Sequence, residues 1–528
     1  MPSIKTVLIV GGGSSGWMAA AYLSKKLPNL NITLIESKKV GTIGVGESTL
    51  GHVNKFLDGL ELKDEDWMAD CNATYKTSIK FTDFREKNSY FHYPFGKFNL
   101  DHTQHGIMDW FWHNAYHDYK LPVTDFAEMY VPQVLMTDRQ KMTDNTDGLI
   151  PGFDFHLDTA YHMDAGKFGQ YLKEKIAIPN GVKYIEDTIV NVTQDDNGYI
   201  RNIFTECGNT LSADLYIDAS GFKKILIEKV MKNKFISFDD VLINDKAIAT
   251  KIDYIDKEKE LHSVTNCTAI QNGWVWDIPL WSRRGSGYVY SSKFVDLEKA
   301  EIEFKEHLSL RIGNKVDDLD FKHINIRHGV QEKPWYKNVC SIGLALGFIE
   351  PLESTGLLTT HENIIRLEAV LSKRDQYVNQ FDIDAWNFSA RDELEGFKQF
   401  VSLHYAMSQR EDTDYWKYVT NNICYAPEIY NLEERFRKNV YDTMYRLNTL
   451  NELRNEVTGE TFILAGMGYS PISKSQTKLE VYRQPIAEQE IQNVKSGYEE
   501  RKAVMLKHIN TLPTHYQFLK KRIYCNGN

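Results

Sequence analysis

The chain carries no paired-cysteine motif, no stretch apolar enough to cross a bilayer, no excess of basic charge and no linker-like tract. Each absence removes a class of function. The six cysteines, Cys71, Cys207, Cys267, Cys340, Cys424 and Cys525, show neither C-x-x-C nor metal-ligand spacing. That excludes a disulfide scaffold and predicts buried free thiols in a reducing compartment. The sixteen histidines form no H-E-x-x-H or related zinc pattern, so no metal is expected. A net charge of −10 argues against nucleic acid or an anionic membrane surface as the main partner. No apolar run approaches the ~20 residues of a membrane-spanning helix. The start, Met1-Pro2-Ser3-Ile4-Lys5, leads directly into a strand without the apolar region of a signal peptide, and a cytoplasmic protein is expected. There is no internal repeat, low-complexity segment or Gly/Ser linker, which predicts interleaved, closely packed domains.

What is present is an ordinary globular composition, 42% hydrophobic and 25% charged over 528 residues. That length suffices for a large core and two or more domains. The most informative stretch comes early: "VLIVGGGSSGWMAAAYLSKKL", residues 7 to 27. "TVLIV" is a short β-branched run of the kind that forms a central parallel strand. "WMAAAYLSKKL" places Trp17, Ala21 and Leu27 at helical spacing, with cations in the last turn. "NITLIES" is the next strand, and Glu36 stands at its end. Between strand and helix, Gly11-Gly12-Gly13-Ser14-Ser15-Gly16 satisfies G-x-G-x-x-G at positions 11, 13 and 16. Such small residues let backbone amides at a helix N-terminus approach a pyrophosphate, and Glu36 is placed to accept from the adenosine ribose. A tight structural turn is the plainer alternative.

NAD and FAD share that fingerprint. The remaining glycine pairs, Gly285/Gly287 and Gly466/Gly468, lack the third glycine and the strand–helix setting. One dinucleotide site in so long a chain points to FAD, with reducing equivalents brought from outside. "GTIGVGESTL", residues 41 to 50, supports a long cofactor: Gly44 and Gly46 let backbone pass close to it, while Glu47 and Ser48 offer polar contacts. Further on, strands meet at Asp196-Asn197-Gly198, a hairpin signal. From about residue 360 the texture is helical. Residues 488 to 509 place Ile491, Val494, Tyr498, Met505 and Ile509 on one face, the pattern of a helix packed on the core.

Three motifs remain. In "GWVWDIP" (273 to 279), Trp274 and Trp276 share one face of a strand, either walling a cavity or filling a sheet core. In "NATYKTSIKF" (72 to 81), Lys76 and Lys80 sit on one probable strand, where a lysine among apolar neighbours ordinarily snorkels. In "GFIEPLESTGL" (347 to 357), Glu350 and Glu353 are loop acids or the acidic first turn of a helix capped by Ser354 or Thr355. Together with "GVGEST", these stretches resemble the flavin-dependent halogenases of the tryptophan halogenase family. The resemblance continues through "GSGYVYSSKF", "SQREDTDYW", "LAGMG" and "LPTHYQFL", and so covers essentially the whole chain.

The resemblance implies an α/β fold: an FAD-binding Rossmann-like domain of the GR2-type flavin monooxygenase kind, interleaved with a mainly helical substrate domain. The expected division is 1–360, with substrate-binding segments near 70–170, and 361–528 completing the substrate site. By the same resemblance FAD, as FADH2, is held by Gly11, Gly12, Gly13, Ser14, Ser15, Gly16, Glu36, Val45, Glu47, Leu344 and Leu357. The amides of Thr355 and Gly356 form a halide site for chloride, bromide or iodide. Trp274 and Trp276 are a barrier near the flavin. Lys76 and Glu353 are the catalytic pair, Lys76 steering hypohalous acid and Glu353 polarising it or taking the ring proton; Lys80 is structural or solvent-facing. O2 is the co-substrate, a separate NAD(P)H-dependent flavin reductase is the partner, and a small aromatic is halogenated. A flavin-dependent aromatic monooxygenase and a non-catalytic FAD-binding protein are the alternatives.

Two departures bear on the substrate. Tryptophan-specific members carry aromatic pairs before the "AG-x-G" segment, whereas here "NTLNELRNEVTGETFILAGMG" has Arg454 and Asn455. At "YFHYPFG", Tyr93 holds a place often taken by histidine, His92 precedes it in a buried structural role, and Phe95 keeps a ring-stacking position. Each stacked pair is worth about 0.5–1.5 kcal/mol beyond its area. The expected substrate is therefore an indole- or phenol-like aromatic other than free tryptophan.

Overall fold

The structure is a computed structural model that describes residues 3–39, 46–99, 109–110, 113–114, 121–373, 376–425, 459–468 and 488–525. The strand Thr6–Val10 (β1) is buried over nearly its whole length, as its unbroken apolar run requires. The helix Ser14–Lys26 (α1) follows, then the strand Asn31–Glu36 (β2). These strands lie inside a six-stranded sheet ordered 335–336, 339–341, 215–218, β1, β2, 183–186. All neighbours are parallel except the edge pair Trp335–Tyr336 and Val339–Ser341. The C-terminal ends of β1 and β2 thus open onto the start of α1, the place where parallel α/β sheets bind nucleotides.

The chain then builds the surroundings of Lys76. The strands Glu47–Ser48 (β3), Thr74–Lys76 (β4), Ser78–Thr82 (β5), Tyr90–Pro94 (β6) and Ala160–Met163 (β7) follow in order. A small antiparallel sheet runs β3-β7-β4, and its register sets Ser48 and Thr74 on either side of His162 in one cross-strand row. β5 and β6 instead close the edge of a seven-stranded sheet that also contains Val264–Ile270 (β8) and Gly273–Pro279 (β9). This corrects the expectation of one strand for both lysines. The chain leaves one sheet at Thr77, so Lys76 ends β4 while Lys80 lies on β5.

The expected hairpin forms between 189–194 and 200–205, with Gly198 at φ 75°. The helix Thr355–Leu371 (α2) runs without a break through residue 360 and packs on α1. The helix Gln380–Ala406 (α3) starts with a capping box in which Asn379 and Asp382 each accept the other's backbone N–H at 3.1 Å. Its apolar face buries Ile383, Trp386, Ala390, Leu394 and Val401, each worth very roughly 1.5–3 kcal/mol for a large side chain. Glu488–Ile509 is a helix as expected: Ile509 is buried, and Val494, Tyr498 and Met505 pack on the core. The thiols only partly follow expectation. Cys71, Cys267 and Cys340 are buried, but Cys207 and Cys525 are exposed because they sit in a tight turn and at the chain's end, where no layer covers them. No described helix is long and apolar enough to cross a membrane, and among the described residues no cluster could hold a metal.

Candidate active site

The glycine cradle is shaped by backbone. Gly11 has φ 118°, and a Cβ there would lie 2.3 Å from the Ala219 carbonyl oxygen; one on Gly16 would lie 1.9 Å from that of Gly11. Gly13 is different: its missing Cβ faces open space, at the uncapped N-terminus of α1. Ser14 donates to the Ala165 carbonyl at 3.1 Å, and Ser15 packs beside Gly343 in the turn that carries Leu344. The Glu36 carboxylate lies beside Gly12 and accepts from the Tyr184 hydroxyl at 3.3 Å. Open space over Gly13, free helix-start amides and a carboxylate at the end of β2 fit a dinucleotide. Glu47 is exposed on β3, Leu357 is buried on α2, and Val45 lies outside the described residues.

Lys76 is completely buried. Its Nζ donates to the Thr49 carbonyl and to Ser354 Oγ, both at 2.9 Å, and lies 5.0 Å from the centre of the Phe95 ring. Burial pulls the amine down to about 7, against the opposing pull of Cys267 and Glu353. The Cys267 thiol is itself pushed up by burial, so it remains protonated. Ser354 holds a left-handed backbone, φ 57° and ψ 33°, immediately before α2, so the uncapped amides of Thr355 and Gly356 open that helix. A Cβ on Gly356 would meet open space.

Glu353 is also completely buried, and it has an ionic partner that sequence reasoning missed. Oε1 lies 2.7 Å from Nε2 of His404 on α3. His404 Nδ1 faces the Phe400 and Val401 carbonyls at 3.2 and 3.3 Å, so it carries a proton. Glu353 and Lys76 are close enough to influence one another electrostatically, as expected. A histidine inside "FVSLHYAM" shows no motif; only the approach of α3 to the turn before α2 reveals it.

Glu350 plays a different part. One of its oxygens accepts from Trp274 Nε1 at 3.0 Å, from Asn244 at 2.9 Å and from the Tyr405 hydroxyl at 2.9 Å. That network locks the Trp274 ring, whose centre is 6.2 Å from that of Trp276. Both indoles are buried on one face of β9, as their spacing predicts. Tyr93 contacts Phe95, Phe400 and Phe462, and Phe462 stacks on Phe98 at 4.7 Å. His92 is buried as expected, between Ser78 Oγ at 2.7 Å and Asp138 at 2.9 Å, and Lys80 pairs with the same Asp138 at 3.2 Å. Arg454 and Asn455 lie outside the described residues. A surface cleft of about 800 Å³ lined by Trp335, Tyr336, Asn387 and Phe388 contains none of these groups.

A dinucleotide cradle, an uncapped helix start and a fully buried amine beside a phenylalanine ring fit a flavin-dependent oxidoreductase. Comparison with known proteins makes this specific. The tryptophan halogenase family pattern matches residues 6–480, and the chain belongs to that family. Tryptophan 7-halogenase RebH of Lentzea aerocolonigenes is 30% identical over 545 residues, spanning 98% of this chain and 99% of that protein. The 7-chloro-L-tryptophan 6-halogenase KtzR of Kutzneria sp. (strain 744) is 31% identical over 78% of this chain and 81% of its own length. Among solved structures, apo VirX1 superposes with a TM-score of 0.90 at 43% identity, over 99% of both chains. BrvH, a flavin-dependent halogenase from Brevundimonas sp. BAL3, gives 0.81 at 27%, over 99% of this chain and 100% of its own. The protein is a flavin-dependent halogenase, an oxidoreductase with an FAD-binding α/β fold.

Proposed function

We propose that this enzyme halogenates an electron-rich, indole- or phenol-like aromatic other than free tryptophan, and that the halogen is transferred at Lys76. FADH2 bound at the cradle, with O2 and a halide, supplies hypohalous acid, and a separate flavin reductase supplies the FADH2. The amides at the start of α1 would hold the pyrophosphate and Glu36 the ribose, with Val45, Glu47, Leu344 and Leu357 along the remainder. The amides of Thr355 and Gly356, at the positive end of α2, suit an anion. Trp274 and Trp276 keep organic substrate from the flavin side, and hypohalous acid passes internally to Lys76. There the amine holds the electrophile beside the substrate ring. Glu353, beside His404, is placed to take the proton released as the ring regains aromaticity.

The observation that carries this reading is the amine itself: a lysine with no solvent contact, pulled down to about 7 and lying on a phenylalanine face. Burying a cation so completely is costly unless it has a use. Tyr93, Phe95, Phe98 and Phe462 offer flat apolar surface suited to an aromatic ring. The test is a mass-spectrometric screen of aromatics with reductase, FAD, NADH and each halide in turn. Product mass should increase by one halogen only when halide is present, and Lys76→Ala should abolish it while still binding FAD. Hydroxylated product without halide dependence, or halogenation by Lys76→Ala at the parent rate, would refute the proposal.

A further inference from the structure

Lys76 ends a buried hydrogen-bond chain. Ser354 Oγ donates to Ser48 Oγ at 3.1 Å, Ser48 Oγ lies 2.7 Å from Thr265 Oγ1, and Thr265 Oγ1 lies 2.9 Å from His162 Nε2. His162 Nδ1 lies 3.3 Å from Thr74 Oγ1, which donates to the Pro279 carbonyl at 2.6 Å. Every member is buried. The arrangement arises from the small sheet, whose register puts Ser48, His162 and Thr74 in one row, with β8 laid against it.

The chemistry of its two ends fixes the direction of every proton. A carbonyl only accepts, so Thr74 spends its hydrogen on Pro279 and must accept from His162 Nδ1–H. Burial, then Lys76 and His515, hold His162 well below the usual imidazole range, so the ring is neutral and Nε2 is a lone pair. Thr265 therefore donates to His162, Ser48 to Thr265, and Ser354 to Ser48. Only lone pairs of Ser354 then face Lys76, in agreement with an ammonium that only donates. The chain cannot carry protons away, because it ends at a carbonyl. It can only set direction.

We propose that Thr265 and His162 are positioning residues for halogenation: through Ser48 and Ser354 they fix one donor of Lys76 Nζ, as the Thr49 carbonyl fixes a second, and so leave the third position of the nitrogen for the electrophile on the side of the Phe95 ring. The hypohalous acid is held at that third position. This rests on the reading of Lys76 given above. Neither residue touches substrate or cofactor. The groups facing Lys76 besides the chain are Glu353 and the protonated Cys267 thiol; those facing His162 are Lys76 and His515.

The test uses full-length protein and the variants Thr265→Val, His162→Gln and His162→Phe. Valine keeps the threonine shape and removes the hydroxyl; glutamine keeps an acceptor for Thr265, and phenylalanine does not. Thermal unfolding and FAD binding establish that each variant is folded, and Thr265→Val with His162→Gln decides the matter if the phenylalanine variant does not fold. The first readout needs no turnover: the ζ signal of Lys76 is titrated by NMR in lysine-labelled protein. A cooperatively polarised acceptor favours the ammonium, so losing it lowers the Nζ pKa below about 7, by about half a unit or more. The second readout is halogenation of the aromatic found in the screen. In Thr265→Val and His162→Phe, kcat falls ~10-fold with KM within about two-fold, while His162→Gln stays within about three-fold of the parent. An Nζ that titrates in Thr265→Val as in the parent, or a His162→Gln as impaired as His162→Phe, overturns the proposal. Should the parent halogenate nothing, the reading of Lys76 as the transfer site fails, and the titration still decides whether the chain governs the amine.

Discussion

Two alanine substitutions in one glycine loop should separate folding from cofactor binding. At Gly16 the added Cβ would lie 1.9 Å from the Gly11 carbonyl oxygen and 3.0 Å from its carbon. An ordinary carbon–oxygen contact is about 3.3 Å, so α1 and the end of β1 must separate by more than an ångström. Neither yields cheaply, because both atoms in the way are backbone and α1 is packed on α2. Overpacking of this kind costs roughly 3 kcal/mol; helix propensity returns about 1 kcal/mol on replacing glycine. Gly16→Ala should therefore lose about 2 kcal/mol and bind FAD poorly. Gly13→Ala differs in kind. Gly13 has ordinary extended angles, φ −73° and ψ −177°, and nothing within 4 Å of the new methyl. The unfolded chain loses entropy, worth about 0.4–1 kcal/mol, against a few tenths for a poorer N-cap, so stability should stay within about 0.5 kcal/mol. Its methyl nevertheless occupies the space a pyrophosphate would take. FAD affinity, read by quenching of flavin fluorescence, should fall about tenfold, or about 1.4 kcal/mol. A Gly13→Ala protein that binds FAD like the parent would refute the cradle; a Gly16→Ala protein with parental thermal stability would refute the packing argument.

Three further outcomes are expected. Because the Lys76 amine titrates near 7 when folded but at about 10.4 when unfolded, the unfolded chain binds more protons between those values and stability should rise with pH across that window. Relative to Lys76→Met, urea unfolding of the parent should gain about 4 kcal/mol between about pH 7 and about pH 10; a flat or falling difference would contradict a desolvated amine. Trp274→Phe removes a donor from the buried Glu350 carboxylate and should cost about 2 kcal/mol in thermal or urea unfolding. Trp276 Nε1 makes no hydrogen bond among the described residues, so Trp276→Phe should stay within about 1 kcal/mol, and equal losses would show that Glu350 does not hold the ring. Native protein treated with a chromogenic disulfide should release two equivalents quickly, from Cys207 and Cys525, and a third more slowly from the half-buried Cys424, with Cys71, Cys267 and Cys340 reacting only on unfolding; fast reaction of Cys267 would mean that the surroundings of Lys76 are open.

What could be read from the sequence is what the backbone decides over short distances. The G-x-G-x-x-G turn, the β2 carboxylate and the shared face of Trp274 and Trp276 follow from strand and helix periods within some tens of residues, and each is found in place. The sequence separations of the Lys76 chain are of another order: 278 residues from Lys76 to Ser354, 306 from Ser354 to Ser48, 217 from Ser48 to Thr265 and 103 from Thr265 to His162. No local pattern marks a threonine on β8 or a histidine on β7, because serine, threonine and histidine at buried strand positions are ordinary satisfied polar groups until a charge is placed at one end. The same holds for His404, a helix residue among aromatics whose only distinction is 2.7 Å to a carboxylate 51 positions away. The break at Thr77 is what the expectation of one strand for both lysines lacked. A continuous strand would carry Lys76 and Lys80 to the same face, and both would then share one environment. By changing sheets between them, the chain gives Lys76 complete burial and Lys80 an ion pair with Asp138. The buried amine is thus created by topology, and its sequence neighbours are left to ordinary structural work.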